Sequence, residues 1–316
     1  MSLHEKTPLI RSGKLSALAG RDVLLKLDNL QPPGSFKIRG IGHLVQQGVA
    51  SGATSAVSSS GGNAGMAAAY AAKQAGIECT VIVPQSTPQS AIDNIKELGA
   101  TVEVHGEHWN IADQEARARI KDKTVLYINP FDHPLIWDGH ATLIDELKED
   151  MKTKPSLIIC SVGGGGLLLG ILRGLKRNKW DDVPVLAMET HGAESLNEAM
   201  KQGKLITLDG IKSIAKSLGS TRVAEEVPVA IDAYGGKVHS RLCTDMESIE
   251  AVESFLADHR FFVEPACGAS LAAIYSSLIH DVELGDGPIV IEVCGGSAVS
   301  LELIDTWKQN AYKPDL

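Results

Sequence analysis

Lys37 lies in the stretch PPGSFKIRG, residues 32–40, where two prolines and a glycine lead into a serine, an aromatic and one lysine. The prolines and the turn make a rigid approach, so the amine is held at one place. A lysine held and partly desolvated there could act as a nucleophile or base. Taken alone, it reads more readily as a surface charge beside Arg39. A second stretch, SVGGGGLLLG at 161–170, places Gly163, Gly164, Gly165 and Gly166 between a strand-like and a helix-like run. Glycine backbone at a helix N-terminus offers uncrowded N–H donors to a phosphate. The spacing excludes a G-x-G-x-x-G dinucleotide fingerprint, because the last position falls on Leu168 or Leu169. It also excludes a P-loop, since the chain contains no G-K-[ST] triplet. A third stretch, SSSGGNAG at 58–65, brings Ser60, Gly61, Gly62 and Asn63 to another strand-to-helix junction. An ordinary helix cap would look the same. A fourth, VCGGS at 293–297, puts Cys294 at a strand end, as a buried thiol or as a neutral group aimed at a ligand. The histidines of HGEH, 105–108, have no third ligand nearby and read as a solvated loop. No serine sits in a G-x-S-x-G elbow.

These junctions need elements to position them. DVLLKL (22–27), SAVSSS (55–60), CTVIVP (79–84), TVEVHG (101–106), TVLYIN (124–129), SLIICSV (156–162), PVLAME (184–189) and PIVIEVC (288–294) read as strands. Between them, residues 62–76, 87–100, 138–152, 167–178 and 248–260 have helical periodicity. Strand–helix alternation predicts parallel sheets covered by helices. In such folds ligands sit beyond the carboxyl ends of strands, where all four stretches fall.

Composition narrows the function. The 316 residues carry 30 basic and 39 acidic side chains, a formal charge of −9, with 44% hydrophobic content. That predicts a globular core and argues against nucleic-acid or anionic-membrane partners. The longest apolar runs are too short to span a bilayer, and the N-terminus has no signal-peptide core. Five cysteines without a C-x-x-C argue against a disulfide framework or a zinc site and point to the reducing cytoplasm.

Together, and in this order, SFKIRG, SSSGGNAGMAAAYAA, SVGGGGLL and CGGS resemble the pyridoxal-phosphate enzymes of the tryptophan-synthase-β fold type. More closely they are similar to the L-serine/L-threonine dehydratases. FDHPLIWDGHATL, WDDVPVLAMETHGAESL and FFVEPACGASLAA add to a likeness that runs from about residue 6 to 308. The resemblance implies an α/β fold of two three-layer αβα domains with mostly parallel sheets. A small domain, 35–134, would be inserted in a large one, 1–34 and 135–316, with the cofactor in the cleft between them and the small domain closing on substrate. Lys37 would carry pyridoxal 5′-phosphate as a Schiff base and serve as the general base. Phe36 would pack on the ring, Asn63 would bond the 3′-oxygen, and Gly163–Gly166 with Leu167 would hold the phosphate. Cys294 would face the pyridine nitrogen, where a thiol tunes the cofactor toward elimination. Ser60, Gly61 and Asn63 would take the substrate, Ser60 gripping its carboxylate. The cofactor phosphate would protonate the departing hydroxyl. A potassium ion would lie near Glu189, Ala193 and Leu218, although Glu189 also suits a helix-capping carboxylate.

The implied reaction is elimination from L-serine or L-threonine to an oxo acid and ammonia, in amino-acid catabolism and gluconeogenesis. Cysteine desulfhydrase, β-replacement, racemase-type activity and a low-activity cofactor-binding paralogue are the alternatives. Racemases of this fold carry a serine where this chain has Gly61, which argues against racemisation and predicts a roomier pocket. The resemblance also implies a cytoplasmic homodimer. With 316 residues, no regulatory domain and no feedback by isoleucine are expected.

Overall fold

The computed structural model describes residues 2–311. Its residues cluster into two compact units. One comprises residues 2–5 with Gln31–His140, the other Lys6–Leu30 with residues 141–311.

Among the described residues ten strands occur in chain order: β1 (Leu9–Arg11), β2 (Val23–Lys26), β3 (Ser55–Ser58), β4 (Glu78–Val83), β5 (Thr101–Val104), β6 (Val125–Ile128), β7 (Leu157–Ser161), β8 (Val185–Thr190), β9 (Val238–Cys243) and β10 (Ile289–Glu292). The first unit holds a four-stranded parallel sheet in the order β5-β4-β3-β6. The second holds six strands in the order β1-β2-β10-β7-β8-β9, parallel except for the edge strand β1. The central strands β7, β8 and β10 are buried along their whole length. That matches their continuous apolar runs, as parallel sheets covered on both faces require.

The helices follow local rules. Asn63–Ala75 is alanine-rich and ends on Gly76 in the left-handed conformation, φ 71°. Asp245–His259 opens with a capping box between Thr244 and Glu247. Pro265 occupies the first turn of Pro265–Tyr275.

Several elements depart from the sequence reading, and some of them have a clear physical reason. The helical pattern over 138–152 is two helices, Pro134–His140 and Thr142–Asp150, separated at Ala141. β1 and β9 lacked a strand signal because three residues are too few to show a period and VHSRLC mixes polar and apolar side chains. Pro265–Tyr275 is buried almost all round, so it has no polar face to reveal its period.

Candidate active site

In the first unit the turn 31–34 closes through the Gly34 amide, which donates to the Gln31 carbonyl (2.7 Å), with Gly34 at φ 81°. Lys37 is then the first residue of the helix Lys37–Ala50. Its half-buried ammonium donates to the Pro130 carbonyl at 2.6 Å and lies 5.2 Å from the Phe36 ring centroid. Asn129 fixes that carbonyl: its Oδ1 accepts from the amides of Phe131 (2.9 Å) and Asp132 (2.7 Å). Phe36 packs against the fully buried His140, ring centroids 5.0 Å apart. Burial, and then repulsion from Lys37, Arg39 and His4, holds His140 neutral, far below its usual range.

The turn Ser60–Gly62 follows β3, and Asn63, nearly buried, opens the helix Asn63–Ala75. Ser60 Oγ accepts from the Gly62 amide (3.3 Å). β3 and β6 are parallel neighbours with Ser58 opposite Ile128, so Pro130 and Ser60 each lie two residues beyond paired strand ends. The structure thus brings Phe36, Lys37, Ser60, Gly61 and Asn63 to one edge of this sheet. At Gly61 the space is filled: a Cβ there would meet Thr87 Cγ2 at 2.7 Å and Oγ1 at 3.1 Å. The roomier pocket expected from the missing side chain is corrected, because the Thr87 side chain occupies that volume.

In the second unit the glycine run links β7 to the helix Gly166–Arg177. Gly165 has φ 87°, and a Cβ on it would meet Val227 Cγ2 at 2.4 Å. No side chain caps this helix. The loop carbonyls are engaged instead, Gly164 by the Ala224 amide and Gly165 by the Leu169 amide, both at 2.9 Å. A glycine-built, uncapped N-terminus followed by the buried Leu167 suits a phosphate. Cys294 follows β10, the neighbour of β7, and its Sγ lies 3.6 Å from Ser161 Oγ. The hydrogen bond with Cys267, then burial, pushes the thiol well above its usual range. It is therefore a neutral group, as the partner of an unprotonated pyridine nitrogen should be. These residues fit the cofactor.

Glu189, in β8, is fully buried and caps the helix Ser195–Gln202. Its two oxygens accept from the amides of Leu196 and Asn197, each at 2.8 Å. Burial raises its pKa to about 8 against the pull of those two bonds. Ala193 donates its amide to the Thr190 carbonyl (3.0 Å), and Leu218 lies beneath Gly163, where a Cβ would meet its Cα at 3.0 Å.

Sequence reasoning missed the Pro130 carbonyl, Thr87 and His140 as parts of the site. The Lys37–Pro130 bond spans 93 residues, and no local pattern announces it.

A two-unit α/β fold with parallel sheets, a helix-opening lysine and an uncapped glycine cradle defines a class of cofactor enzyme. The chain matches the family described as pyridoxal-phosphate dependent enzyme over residues 1–295 and belongs to it. It is 48% identical over 315 residues to the L-serine dehydratase/L-threonine deaminase of Mus musculus, covering 97% of this chain and 95% of that protein. It is 46% identical over 303 residues to the serine dehydratase-like protein of Homo sapiens, covering 94% and 92%. The fungal L-serine ammonia-lyase of Rhizomucor miehei shares its fold with a TM-score of 0.92 and 35% identity, covering 98% of this chain and 99% of that one.

Proposed function

We propose that this chain is a lyase that converts L-serine to pyruvate and ammonia, and L-threonine to 2-oxobutanoate and ammonia. The observation that carries the reading is near-full-length likeness to L-serine dehydratases. When bound, pyridoxal phosphate supplies an electron sink next to the substrate Cα. Lys37 would hold the cofactor, and its amine would take the Cα proton. Ser60 and the amides near Gly61 and Gly62 hold the substrate carboxylate at the start of a helix, where the dipole favours an anion. Asn63 would orient the ring hydroxyl oxygen, Phe36 would support the ring face, and Gly163–Gly166 with Leu167 would take the phosphate. The neutral Cys294 thiol would face the ring nitrogen and would add no negative charge to it. The substrate loses its Cα proton and β-hydroxyl as water. The released aminoacrylate adds water and loses ammonia to give the oxo acid, so atoms balance.

A monovalent cation beside Glu189, Ala193 and Leu218 belongs to the same reading. Potassium added to the salt-free enzyme should raise turnover in the wild type and not in Glu189→Gln. A homodimer in the cytoplasm is proposed on likeness alone, and light scattering of the purified protein tests the dimer. Among the described residues no helix is long and apolar enough to cross a membrane.

The test of function is direct. Purified protein with pyridoxal phosphate should show a visible absorbance band that Lys37→Ala abolishes. L-serine and L-threonine should yield oxo acid and ammonia. A protein that stays colourless overturns the reading. Hydrogen sulfide from L-cysteine as the fastest reaction would make it a desulfhydrase, and inversion of serine without pyruvate would make it a racemase. Bound cofactor without turnover would make it a binding paralogue.

A further inference from the structure

The turn Ser60–Gly62, assigned to the substrate carboxylate, is itself held by a polar network outside it. Ser59, the residue just before the turn, is fully buried. Its hydroxyl donates to Asp113 Oδ1 at 2.6 Å, from β3's end to the helix Trp109–Ala118. The Tyr127 hydroxyl donates to the same oxygen from β6. Arg117 donates through Nε to the other oxygen, Oδ2, at 2.8 Å, and its guanidinium carbon lies 4.4 Å from the Tyr127 ring centroid. Burial works against ionising Asp113, but the bonds from Ser59, Tyr127 and Arg117 overcome it and hold its pKa below the usual value. On the other side of the turn, the Ser60 carbonyl is pressed against Gly65, where any Cβ would lie 1.8 Å from that oxygen.

We propose that Asp113, gripping Ser59 and Tyr127, is a positioning residue that sets the orientation of the turn 60–62 and so the binding of the substrate carboxylate. The proposal rests on the functional reading above. A residue has only two soft dihedrals, so fixing Ser59 and holding the Ser60 carbonyl against Gly65 leaves little freedom for Ser60 and for the Gly61 amide that shares its peptide plane. The buried carboxylate also ties two neighbouring parallel strands to one helix. A charged acceptor shared by two hydroxyls makes stronger and shorter bonds than a neutral one. Preorganised donors bind an anion better than mobile ones, because less order is lost on binding.

The experiment uses the full chain with Ser59→Ala, Asp113→Asn and Tyr127→Phe. With cofactor, KM for L-serine should rise about tenfold in Ser59→Ala, and less in Tyr127→Phe, which leaves the Ser59 bond intact. In both, kcat and affinity for pyridoxal phosphate should stay within twofold of wild type. Without cofactor, hydrogen exchange at amides 60–63 should quicken in Ser59→Ala and Asp113→Asn while the β4 amides stay protected. An unchanged KM, or exchange that quickens equally across the unit, overturns the proposal and leaves the network a staple of the fold. If Asp113→Asn fails to fold, the other two variants decide. If the wild type gives no oxo acid from serine, the functional reading fails, while the exchange measurement still decides whether Asp113 holds the turn.

Discussion

Gly61 and Thr87 show how one residue's absence is another's presence. A side chain at position 61 must displace the Thr87 methyl, with Val83 Cγ1 only 3.4 Å away. Overpacking of this kind costs roughly 1–3 kcal/mol. Gly61→Ser should therefore lower the urea midpoint, and Thr87→Ala in the same chain should restore most of the loss, a coupling that a double-mutant cycle measures. Additive effects would mean the two sites do not share that volume. His140 carries a pH prediction. Its folded pKa is depressed, first by burial and then by the charges of Lys37, Arg39 and His4. The unfolded chain thus takes up the proton more readily. The stability this gives is present above about 6.5, the ordinary histidine value, and falls as pH drops below it. Neither ring nitrogen has a hydrogen-bond partner among the described residues, so nothing offsets the protonated form. Melting temperature should fall between pH 7 and 5.5, and His140→Gln should make that fall shallower. An identical slope in both proteins would show that His140 is not what titrates.

Lys37 is aimed by a helix, and the helix by its neighbour. Lys37–Ala50 and Pro134–His140 meet backbone to backbone. A Cβ on Gly40 would meet the Ile136 carbonyl oxygen at 2.6 Å, and one on Gly139 would meet the Arg39 carbonyl oxygen at 2.3 Å. Gly40→Ala should push the pair apart and shift the lysine three residues away. A displacement of that kind costs positioning as well as stability. The expected result is weaker retention of pyridoxal phosphate on dialysis, with a melting temperature lowered by several degrees. Full retention would show that the helix crossing does not aim Lys37. The four strand-to-helix junctions were legible because glycine, serine and lysine stand out against apolar runs on both sides. The helix crossing was not, since its two glycines are 99 positions apart and each looks ordinary within its own helix. The same holds for Ser59 and Asp113, 54 residues apart, and for Thr87 against Gly61. Local pattern reveals the ends of elements, and contacts made by the finished sheet reveal what fixes those ends.

At the scale of the molecule, the chain builds two units with separate parallel sheets, and the candidate residues divide between them. Phe36, Lys37, Ser60, Gly61 and Asn63 belong to the unit containing Gln31–His140, and Gly163–Leu167, Glu189 and Cys294 to the other. Alternation of strands and helices was enough to expect parallel sheets; the strand orders β5-β4-β3-β6 and β1-β2-β10-β7-β8-β9 were not legible, because they depend on crossovers rather than on neighbours in sequence. A ligand that binds only the folded chain must stabilise it by mass action. At a hundredfold excess over its dissociation constant the gain is about 2.7 kcal/mol. For units of this size that corresponds to a rise of roughly 5–10 °C in melting temperature. The glycine cradle can be tested on this difference alone. Gly165→Val puts a branched side chain at φ 87°, against Val227, in the loop assigned to the phosphate. Its cofactor-free protein should already melt lower, so the informative quantity is the change on adding pyridoxal phosphate. That change should shrink to near zero in Gly165→Val and persist in a variant with a distant lesion, such as Thr244→Ala in the capping box. A full cofactor-induced rise in Gly165→Val would remove Gly163–Gly166 from the phosphate site, whatever Lys37 does.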